Sequence, residues 1–443
     1  MSLAERRWLR IFTLCALYVA QGIPWGFMAT TLPGYLVERK LDFAVVSTTL
    51  SFTTLPYAFK WVWGPLIDRF TIRRFGRRRP WIVFAQAMMT VTIVSMIALD
   101  VATQIKLLAW MVFIHTVFNA LQDVSVDALA VDILPEEERG RANGLMYGSK
   151  YFGGALGGVG VAKLIAWHGL DFALTAQACV LFAIMLVPLL VRERDGEPPP
   201  RETAVAIAKA LHQAFSLRST LVAAAFMLAI NFSVGLVGAN GFALFIGKLG
   251  WTAAQYSAIT GGWGLIAGGL FAAGAGTLVD RWGRRRIAAI ASCGLALNWF
   301  VFAAMTSWWP NHVYIYASGI IETACVSTMS VAVITLCMDL SWPRIAASQF
   351  TAFMALSNFS TTLGYQFAGT ANKWWSFREI WLVAACVQLV VTLPLLAIDP
   401  GQTRRELPLP EGTRVPRAGV VALGALLVFL IGITGYITWQ KVG

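Results

Sequence analysis

Gly64-Pro-Leu-Ile-Asp68-Arg69, followed by Gly76-Arg77-Arg78-Arg79, occurs a second time as Gly276-Thr-Leu-Val-Asp280-Arg281, followed by Gly283-Arg284-Arg285-Arg286. The two copies lie 212 residues apart at the aspartate and 207 apart at the second glycine, because the first copy carries five extra residues. A repeat of this kind indicates that the chain consists of two related halves. Each copy lies between two apolar stretches, so we interpret it as a short loop that connects two helices.

The sequence around these motifs is too apolar for a water-soluble protein. Of the 443 residues, 57% are hydrophobic and 13% are charged, and the mean hydropathy is +0.65, which excludes a soluble globular enzyme. A membrane-spanning helix needs about 20 apolar residues. The sequence predicts twelve such spans, six in each half, at about 11–33, 43–66, 80–99, 107–133, 142–166, 170–191, 219–247, 252–279, 286–306, 312–338, 346–371 and 377–398. The predicted fold class is an all-α polytopic membrane protein.

The predicted domains follow the repeat, with one six-helix bundle over residues 1–191 and a second over residues 219–400. Residues 192–218 between them contain three consecutive prolines, which block a continuous helix, and then a short amphipathic helix. We interpret this segment as a linker. Residues 401–443 form a proline- and arginine-rich link and a further apolar stretch at about 418–439, which predicts one additional transmembrane helix.

The lysines and arginines predict the orientation of the spans. The chain carries a net charge of +12, and most of the excess falls in the linker, the termini and the loops on one side of the bundle. Such loops face the cytoplasm, so we expect a cytoplasmic N-terminus and, after thirteen spans, a periplasmic C-terminus. Membrane orientation accounts for the basic residues, and no nucleic-acid partner is expected.

The sequence lacks the patterns of an enzyme or a metalloprotein. The six cysteines are scattered without paired spacing, which predicts no disulfide framework and no metal site. No phosphate-binding GxxxxGK[ST], no HExxH and no nucleophile elbow occurs. We therefore expect a protein that is not an enzyme and that has no cofactor.

The repeated loop is the predicted gate between two conformations. Its glycines permit close helix approach, its aspartate can cap the N-terminus of a neighbouring helix, and its arginines can pair with carboxylates or with anionic lipid head groups. The offset of 207 residues also places Asp132 opposite Asp339, near a further loop of each half. The candidate gating residues are Gly64, Asp68, Arg69, Gly76, Arg77, Gly276, Asp280, Arg281, Gly283 and Arg284.

Ionisable residues within spans carry an insertion cost of roughly 2.5–3.5 kcal/mol each, so they usually face a cavity or a partner. The fourth span carries a stripe of such residues with a spacing of four, and further candidates lie in the second, fifth and tenth spans. A pair between Lys150 and either Asp123 or Asp127 is expected, and Glu322 is the repeat counterpart of His115. These residues either bind substrate or protons, or lock helices together. The full set is His115, Asn119, Gln122, Asp123, Asp127, Lys60, Lys150, Tyr151 and Glu322.

A second set of candidates lines the expected path of a solute. In the first span, Pro24 frees a backbone carbonyl and two glycines thin the helix, and interrupted helices often form substrate sites. We expect Gln21, Trp25, Asn231, Asn240 and Asn358 to offer stacking and hydrogen bonds, although a lone Trp or Asn in a helix often serves packing alone. The five glycines among residues 153–160 in the fifth span predict a seam of close helix packing.

Two six-helix halves with this loop between their second and third helices resemble the major facilitator superfamily, whose loop reads G-x-L-x-D-R-x-G-R-R. The second copy matches at every defined position, and the first matches with an insertion. The resemblance implies two bundles that rock about a central site. It also implies a small-molecule substrate. We expect coupling to protons because Glu322, Asp123, Asp127 and His115 supply titratable groups, and we further expect contact with membrane lipid and a monomer.

Within that superfamily, the sequence resembles the muropeptide permeases of the AmpG type. The resemblance rests on residues 55–69, on 75–81, on Gln122-Asp123 with Asp127 and Asp132, on 134–140, on Gln21-Gly22-Ile23-Pro24 and on 347–350. It implies a proton-coupled importer of a large polar solute in a bacterial inner membrane. A ferri-siderophore importer, a metabolite or drug exporter, and a membrane scaffold or sensor remain alternatives. The AmpG-type members commonly carry two extra C-terminal helices, whereas this sequence predicts one.

Overall fold

The chain is almost entirely helical in the computed structural model. The structure describes residues 2–38, 53, 56–57, 59–70, 72, 75–100, 103–193, 203–251 and 262–408, and within these ranges it contains helices and two isolated bridges but no β-strand. The additional helix predicted at 418–439 lies outside the described residues, as does most of the second span. An all-α membrane fold is confirmed.

The described helices of the first half follow the predicted spans, and several spans consist of two helices joined by a turn. They are α1 (Arg7–Gly26), α2 (Leu32–Glu38), α3 (Trp63–Arg69), α4 (Arg79–Ile97), α5 (Ile105–Ile133), α6 (Arg139–Ala155), α7 (Val161–His168) and α8 (Leu170–Leu190). A π-helical turn at Phe27–Thr31 joins α1 to α2, and another at Leu156–Gly160 joins α6 to α7. Lys60–Val62 form a 3-10 turn that leads into α3.

The second half repeats this arrangement. A short helix, α9 (Ala204–Ala214), lies in the predicted linker, and the helices that follow it are α10 (Arg218–Ala229), α11 (Phe232–Phe242), α12 (Gly264–Trp282), α13 (Arg284–Ala304), α14 (His312–Leu340), α15 (Ala346–Trp374), α16 (Phe377–Thr392) and α17 (Gln402–Glu406). A π-helical turn at Ala243–Lys248 extends α11.

Eight helical stretches among the described residues are long and apolar enough to cross a membrane: Arg7–Thr31, Arg79–Ile97, Ile105–Ile133, Leu170–Leu190, Arg218–Lys248, Arg284–Ala304, His312–Leu340 and Phe377–Glu406. The predicted spans 5, 8 and 11 are not among them, and most of span 2 lies outside the described residues. These are the spans that meet between the halves, where α6 packs against α12 and α3 against α15. Helices that face another helix instead of lipid carry more glycine and polar residues, which lowers their hydropathy.

Exposed tryptophans mark the two surfaces of the membrane. We call the end of the bundle that carries the two repeated loops the basic face. Trp8 and Trp282 lie exposed near this face, and Trp110, Trp167 and Trp374 lie exposed near the opposite end. Tryptophan is enriched at both interfaces between membrane and water, so the bundle presents a lipid-facing band between these two levels.

Glycines bring helices into backbone contact within each half. A Cβ atom added to Gly153 would lie 2.6 Å from the Val19 carbonyl oxygen, so α1 and α6 touch through their backbones. In the second half, a Cβ atom on Gly235 would lie 3.3 Å from the Cα of Gly364, which joins α11 to α15 in the same way. The predicted seam in the fifth span is present. The predicted interruption at Pro24 is not, because α1 continues through this residue to Gly26 and then widens into a π-helical turn.

Candidate transport site and gate

A buried ionic cluster joins three helices of the first half. The Asp123 carboxylate on α5 lies 3.2 Å from the Lys150 Nζ on α6 through Oδ1 and 3.3 Å from the Lys60 Nζ through Oδ2. The side chains of Lys60 and Asp123 are 7% and 8% exposed, and that of Lys150 is 25% exposed. Of the two pairs expected for Lys150, the structure forms the one with Asp123. Lys60 binds the same carboxylate, so one aspartate holds two ammonium groups.

Asp127, one turn further along α5, is bound differently. Its carboxylate accepts a hydrogen bond from the Tyr18 hydroxyl of α1, and both side chains are buried. The Tyr18 ring lies 5.7 Å from the Lys150 ammonium and 5.8 Å from the Tyr147 ring. Of the two alternatives for Lys150, the pair with Asp127 is thus the one that the structure does not form. Asp123 takes both lysines because Lys60 and Lys150 approach α5 one turn nearer its middle.

His115 and Glu322 form the same contact in the two halves. The His115 Nδ1 lies 2.8 Å from the Thr92 hydroxyl of α4, and the Glu322 Oε2 accepts a hydrogen bond of 3.1 Å from the Trp299 indole of α13. Thr92 and Trp299 are 207 residues apart, as are His115 and Glu322. The repeat assignment is thereby supported by contacts, and Trp299 is a local partner of Glu322.

The interior of the first half also contains amides without partners. Among the described residues, no group is hydrogen-bonded to either polar atom of the Gln21 side chain, to Asn119 Oδ1 or to Gln122 Oε1. All three side chains are 3% exposed or less, and Gln122 Nε2 donates to the Leu17 carbonyl. Buried polar groups without partners are rare in folded proteins. The predicted site residues on α1 and α5 therefore lie in a polar interior.

The candidates of the second half do not join this cluster. Asn231 Nδ2 donates to the Ser357 hydroxyl at 2.8 Å, which ties α11 to α15, and Asn240 Nδ2 bonds to the Leu236 carbonyl of its own helix. Asn358 is exposed. Trp25 is 37% exposed, and its ring lies against α6 at Gly154. Tyr151 packs on Gly269 of α12, which places it between the halves, so Trp25 and Tyr151 are nearest to the junction.

Asp68 connects the first half to the second at the basic face. Its carboxylate accepts 2.7 Å hydrogen bonds from the backbone N–H and the hydroxyl of Ser348, at the start of α15. Within its own half it pairs with Arg77 at 3.1 Å and with Arg78 at 2.8 Å. Asp68 is 1% exposed. A buried carboxylate at a helix N-terminus satisfies free N–H groups and the helix dipole, as the sequence predicted for this residue.

Asp280 makes the equivalent connection in the other direction. Its carboxylate accepts hydrogen bonds of 2.8 and 2.7 Å from the backbone N–H groups of Gly140 and Arg141, at the start of α6. Arg141 and Ser348 are 207 residues apart. Each half therefore caps the helix of the other half, and the two caps obey the sequence repeat.

The loop arginines also bond from each half to the other. Arg77 donates to the Pro343 carbonyl of the second half at 2.9 Å, and Arg284 donates to the Glu136 carbonyl of the first. Arg284 also pairs with Asp339 at 2.9 Å. Burial lowers the pKa of the Arg77 guanidinium from its ordinary value, although an arginine stays charged at physiological pH. Of the other gating candidates, Arg69 and Arg281 are exposed, and they make no crossing contact among the described residues.

The loop glycines take their expected places. Gly76 and Gly283 have φ angles of +100° and +89°, which only glycine adopts readily. A Cβ atom on Gly64 would lie 2.7 Å from the Ser348 Cα, and one on Gly276 would lie 2.8 Å from the Arg141 Cα. Glycine at these positions allows α3 to reach α15 and α12 to reach α6.

Three residues of the site were not among the predicted candidates, two of them at the gate and one in the buried cluster. Glu193, which falls in the predicted linker, accepts hydrogen bonds from the backbone N–H groups of Arg77, Arg78 and Arg79 at 2.9, 2.6 and 2.5 Å. Arg139 pairs with Asp339 of the second half at 2.7 Å. Tyr18 binds Asp127. The RERD sequence that contains Glu193 follows a span directly, which is the one signal that could have pointed to a helix cap.

Two repeated helical halves, joined at one face by reciprocal polar contacts and with an ionic cluster buried between helices, define a membrane transporter and not an enzyme. The model of the Major Facilitator Superfamily matches residues 14–246, more than half of the chain. The chain belongs to this superfamily, and the resemblance inferred from the repeated loop is confirmed.

Within the superfamily, the chain is similar to permeases of the AmpG type. The anhydromuropeptide permease of Escherichia coli strain K12 is 26% identical over 412 residues, which cover 87% of this chain and 81% of that protein. A Rickettsia felis protein named as an AmpG transporter is 22% identical over 371 residues, which cover 81% of this chain and 89% of that protein. The chain is thus similar to AmpG-type permeases over most of its length.

Solved structures confirm the fold. The human organic anion transporter MFSD10 superposes with a TM-score of 0.70 at 11% identity, covering 88% of this chain and all of that one. The proton:xylose symporter XylE superposes with a TM-score of 0.65 at 12% identity, covering 91% and 97%. At such identities the likeness concerns the fold alone.

Proposed function

We propose that this transporter is a proton-coupled importer of muropeptide-like solutes in a bacterial inner membrane. It works as a monomer, with the basic face toward the cytoplasm. The similarity to the Escherichia coli permease over 87% of the chain supports the substrate class. The ionic cluster of Lys60, Asp123 and Lys150 is the observation that carries the coupled mechanism.

The cluster suits coupling because it belongs to one half only. The positions of the second half that correspond to Asp123 and Asp127 are Ser330 and Ile334. The gate contacts are repeated in both halves, whereas these two carboxylates are not, so symmetry of the fold alone does not explain them. A carboxylate inside the membrane is costly to insert, and a non-transporting scaffold would gain nothing from it. We assign them to proton binding, together with Glu322, which lies at the counterpart position of His115.

The gate supplies the conformational part of the cycle. In the structure the halves are joined at the basic face by the carboxylates of Asp68 and Asp280 and by Arg77 and Arg284. Release of a solute toward this face requires these contacts to break while each half remains folded. Protonation and solute binding then select between the two arrangements by their different affinities for each.

Uptake into proteoliposomes tests the proposal. We expect labelled anhydromuropeptide to enter vesicles that contain the purified protein when the outside is acidic, and xylose not to enter. Asp123→Asn should reduce this uptake strongly. Asp171→Asn is the matched control because Asp171 is exposed at the start of α8, and it should leave uptake unchanged. Entry of a ferri-siderophore without entry of anhydromuropeptide would contradict the proposed substrate class.

A further inference from the structure

The three charged groups of the cluster differ in their access to the surroundings. Lys60 and Asp123 are almost fully enclosed, whereas a quarter of the Lys150 side chain is exposed. Lys150 lies eleven residues into α6, roughly 16 Å from its start at the basic face. Among the three charged residues of the cluster, Lys150 therefore has the side chain that is most open to a solute at this depth.

Lys150 also lies on the part of α6 that meets the other half. A Cβ atom on Gly148 would lie 3.0 Å from the Gly269 carbonyl oxygen of α12, and one on Gly269 would lie 3.3 Å from the Tyr151 Cβ. These contacts flank Lys150 in the sequence. A solute held between the halves would thus lie beside the helix that carries this ammonium.

The ammonium has unused capacity for hydrogen bonds. A lysine ammonium offers three N–H donors. Among the described residues, Asp123 Oδ1 is the one acceptor bonded to Lys150, at 3.2 Å, and the Tyr18 ring adds a contact of 5.7 Å to its face. Asp123 has to satisfy Lys60 as well, so two ammonium groups share one carboxylate, and Asp127 is engaged by Tyr18. Lys150 therefore has N–H donors left for a further acceptor.

We infer that Lys150 binds a carboxylate of the transported solute, which takes the place of the Asp123 oxygen or bonds beside it. A carboxylate fits because it reproduces the bond that Asp123 already makes. Phosphate groups are usually bound by several donors or by the fork of an arginine, and no arginine lies among the residues found in contact with Lys150. The inference rests on the proposed function, and it names acidic peptide-bearing solutes as the class that the site selects.

Binding measured by isothermal titration in detergent tests this inference. The probes are an anhydromuropeptide with free carboxylates and the same compound with its carboxylates converted to amides. On the wild-type protein, we expect amidation to weaken binding about tenfold to a hundredfold, the usual effect of losing a charge-assisted hydrogen bond. Lys150→Gln should weaken binding of the free acid by a similar factor. Amidation should then have little further effect, because the two changes remove the same contact.

Two variants separate this role from a structural one. Lys150→Arg keeps the charge and should retain most of the preference for the free acid. Lys163→Gln removes an exposed lysine further along the same membrane span and should bind like the wild type. If Lys150→Gln does not fold, as judged by size-exclusion chromatography, the comparison of acid and amide on the wild-type and Lys150→Arg proteins decides the matter.

The outcomes distinguish the two proposals. Equal affinity of the wild type for acid and amide would overturn the carboxylate inference and leave the muropeptide proposal intact. The same holds if amidation weakens binding to Lys150→Gln as much as to the wild type, because the carboxylate would then be bound elsewhere. Failure of the wild type to bind the free acid at all would contradict the proposed substrate class, and the inference would fall with it.

Discussion

Replacing Asp68 by asparagine should shift the protein toward the arrangement in which the basic face is open. In the closed structure the Asp68 carboxylate makes two 2.7 Å hydrogen bonds to Ser348 of the other half. Its bonds to Arg77 and Arg78 lie within its own half and so remain when the halves separate. The change therefore acts mainly on the bonds to Ser348.

The magnitude follows from those two bonds. A hydrogen bond to a charged group contributes about 1.5–3 kcal/mol, against about 1 kcal/mol for a neutral one. The asparagine keeps a single oxygen, so the closed arrangement should lose about 2–3 kcal/mol relative to the open one. That corresponds to a change of roughly 30-fold to 150-fold in the ratio of the two populations.

Asp280→Asn is the repeat-related comparison. Asp280 makes two bonds to backbone N–H groups of the other half, but it is partly exposed. Water competes for such bonds and screens the charge. We expect the same direction of change and a smaller effect, of about 1 kcal/mol.

Distances between spin labels at the basic face measure this shift. Glu137 in the first half and Arg286 in the second are both exposed and can carry the labels in a protein whose six native cysteines have been replaced. The long-distance population should grow strongly in Asp68→Asn and modestly in Asp280→Asn. An unchanged distribution in Asp68→Asn, or a larger shift in Asp280→Asn, would refute the assignment of the gate.

Three further predictions concern coupling, the junction and the supporting cap. Glu322→Gln should abolish uptake driven by a pH gradient but preserve exchange of labelled for unlabelled solute, since exchange needs no net proton movement; loss of both would make Glu322 a substrate ligand. Gly276→Val should widen the basic face in the spin-label measurement because its Cβ would lie 2.5 Å from a carbonyl oxygen of α6, whereas Gly274→Val, with nothing within 4 Å, should not. Glu193→Gln should lower the free energy of unfolding by about 1–3 kcal/mol in denaturant melts, because three N–H bonds lose their charge; a change no larger than that of exposed Glu137→Gln would rule this out.

The gate could be predicted from the sequence because its loop motif occurs once in each half. Asp68 and Asp280 occupy the same place in two copies, and a carboxylate at the end of one helix that meets the start of another is a local, recurring arrangement. Which helices are capped was not predicted. The structure identifies them as α6 and α15 and shows that their capped ends obey the offset of 207 residues.

The pairing inside the ionic cluster could not be decided from the sequence. Asp123 and Asp127 lie one turn apart on the same stripe of α5. Which of them meets Lys150 depends on how far α5 and α6 slide past each other, and periodicity carries no information about that displacement. The choice was settled by side-chain packing between α1, α5 and α6.

Tyr18 and Glu193 could not be predicted for a different reason. Tyr18 resembles an ordinary aromatic core residue, and Glu193 sits at the edge of a polar linker, so neither pattern indicates a partner. Their contacts join positions 109 and 114–116 residues apart. Contacts at such separations arise from the tertiary fold alone, and neither has a counterpart in the other half that would reveal it by repetition.

Proton movement that accompanies uptake is the decisive measurement for proton-coupled import by this protein. Purified protein in vesicles that enclose a pH-sensitive dye should acidify the interior when anhydromuropeptide is added outside, at equal initial pH on both sides. We expect acidification that depends on the solute and that disappears in Asp123→Asn. Accumulation of the solute by the wild-type protein without acidification would contradict proton-coupled import.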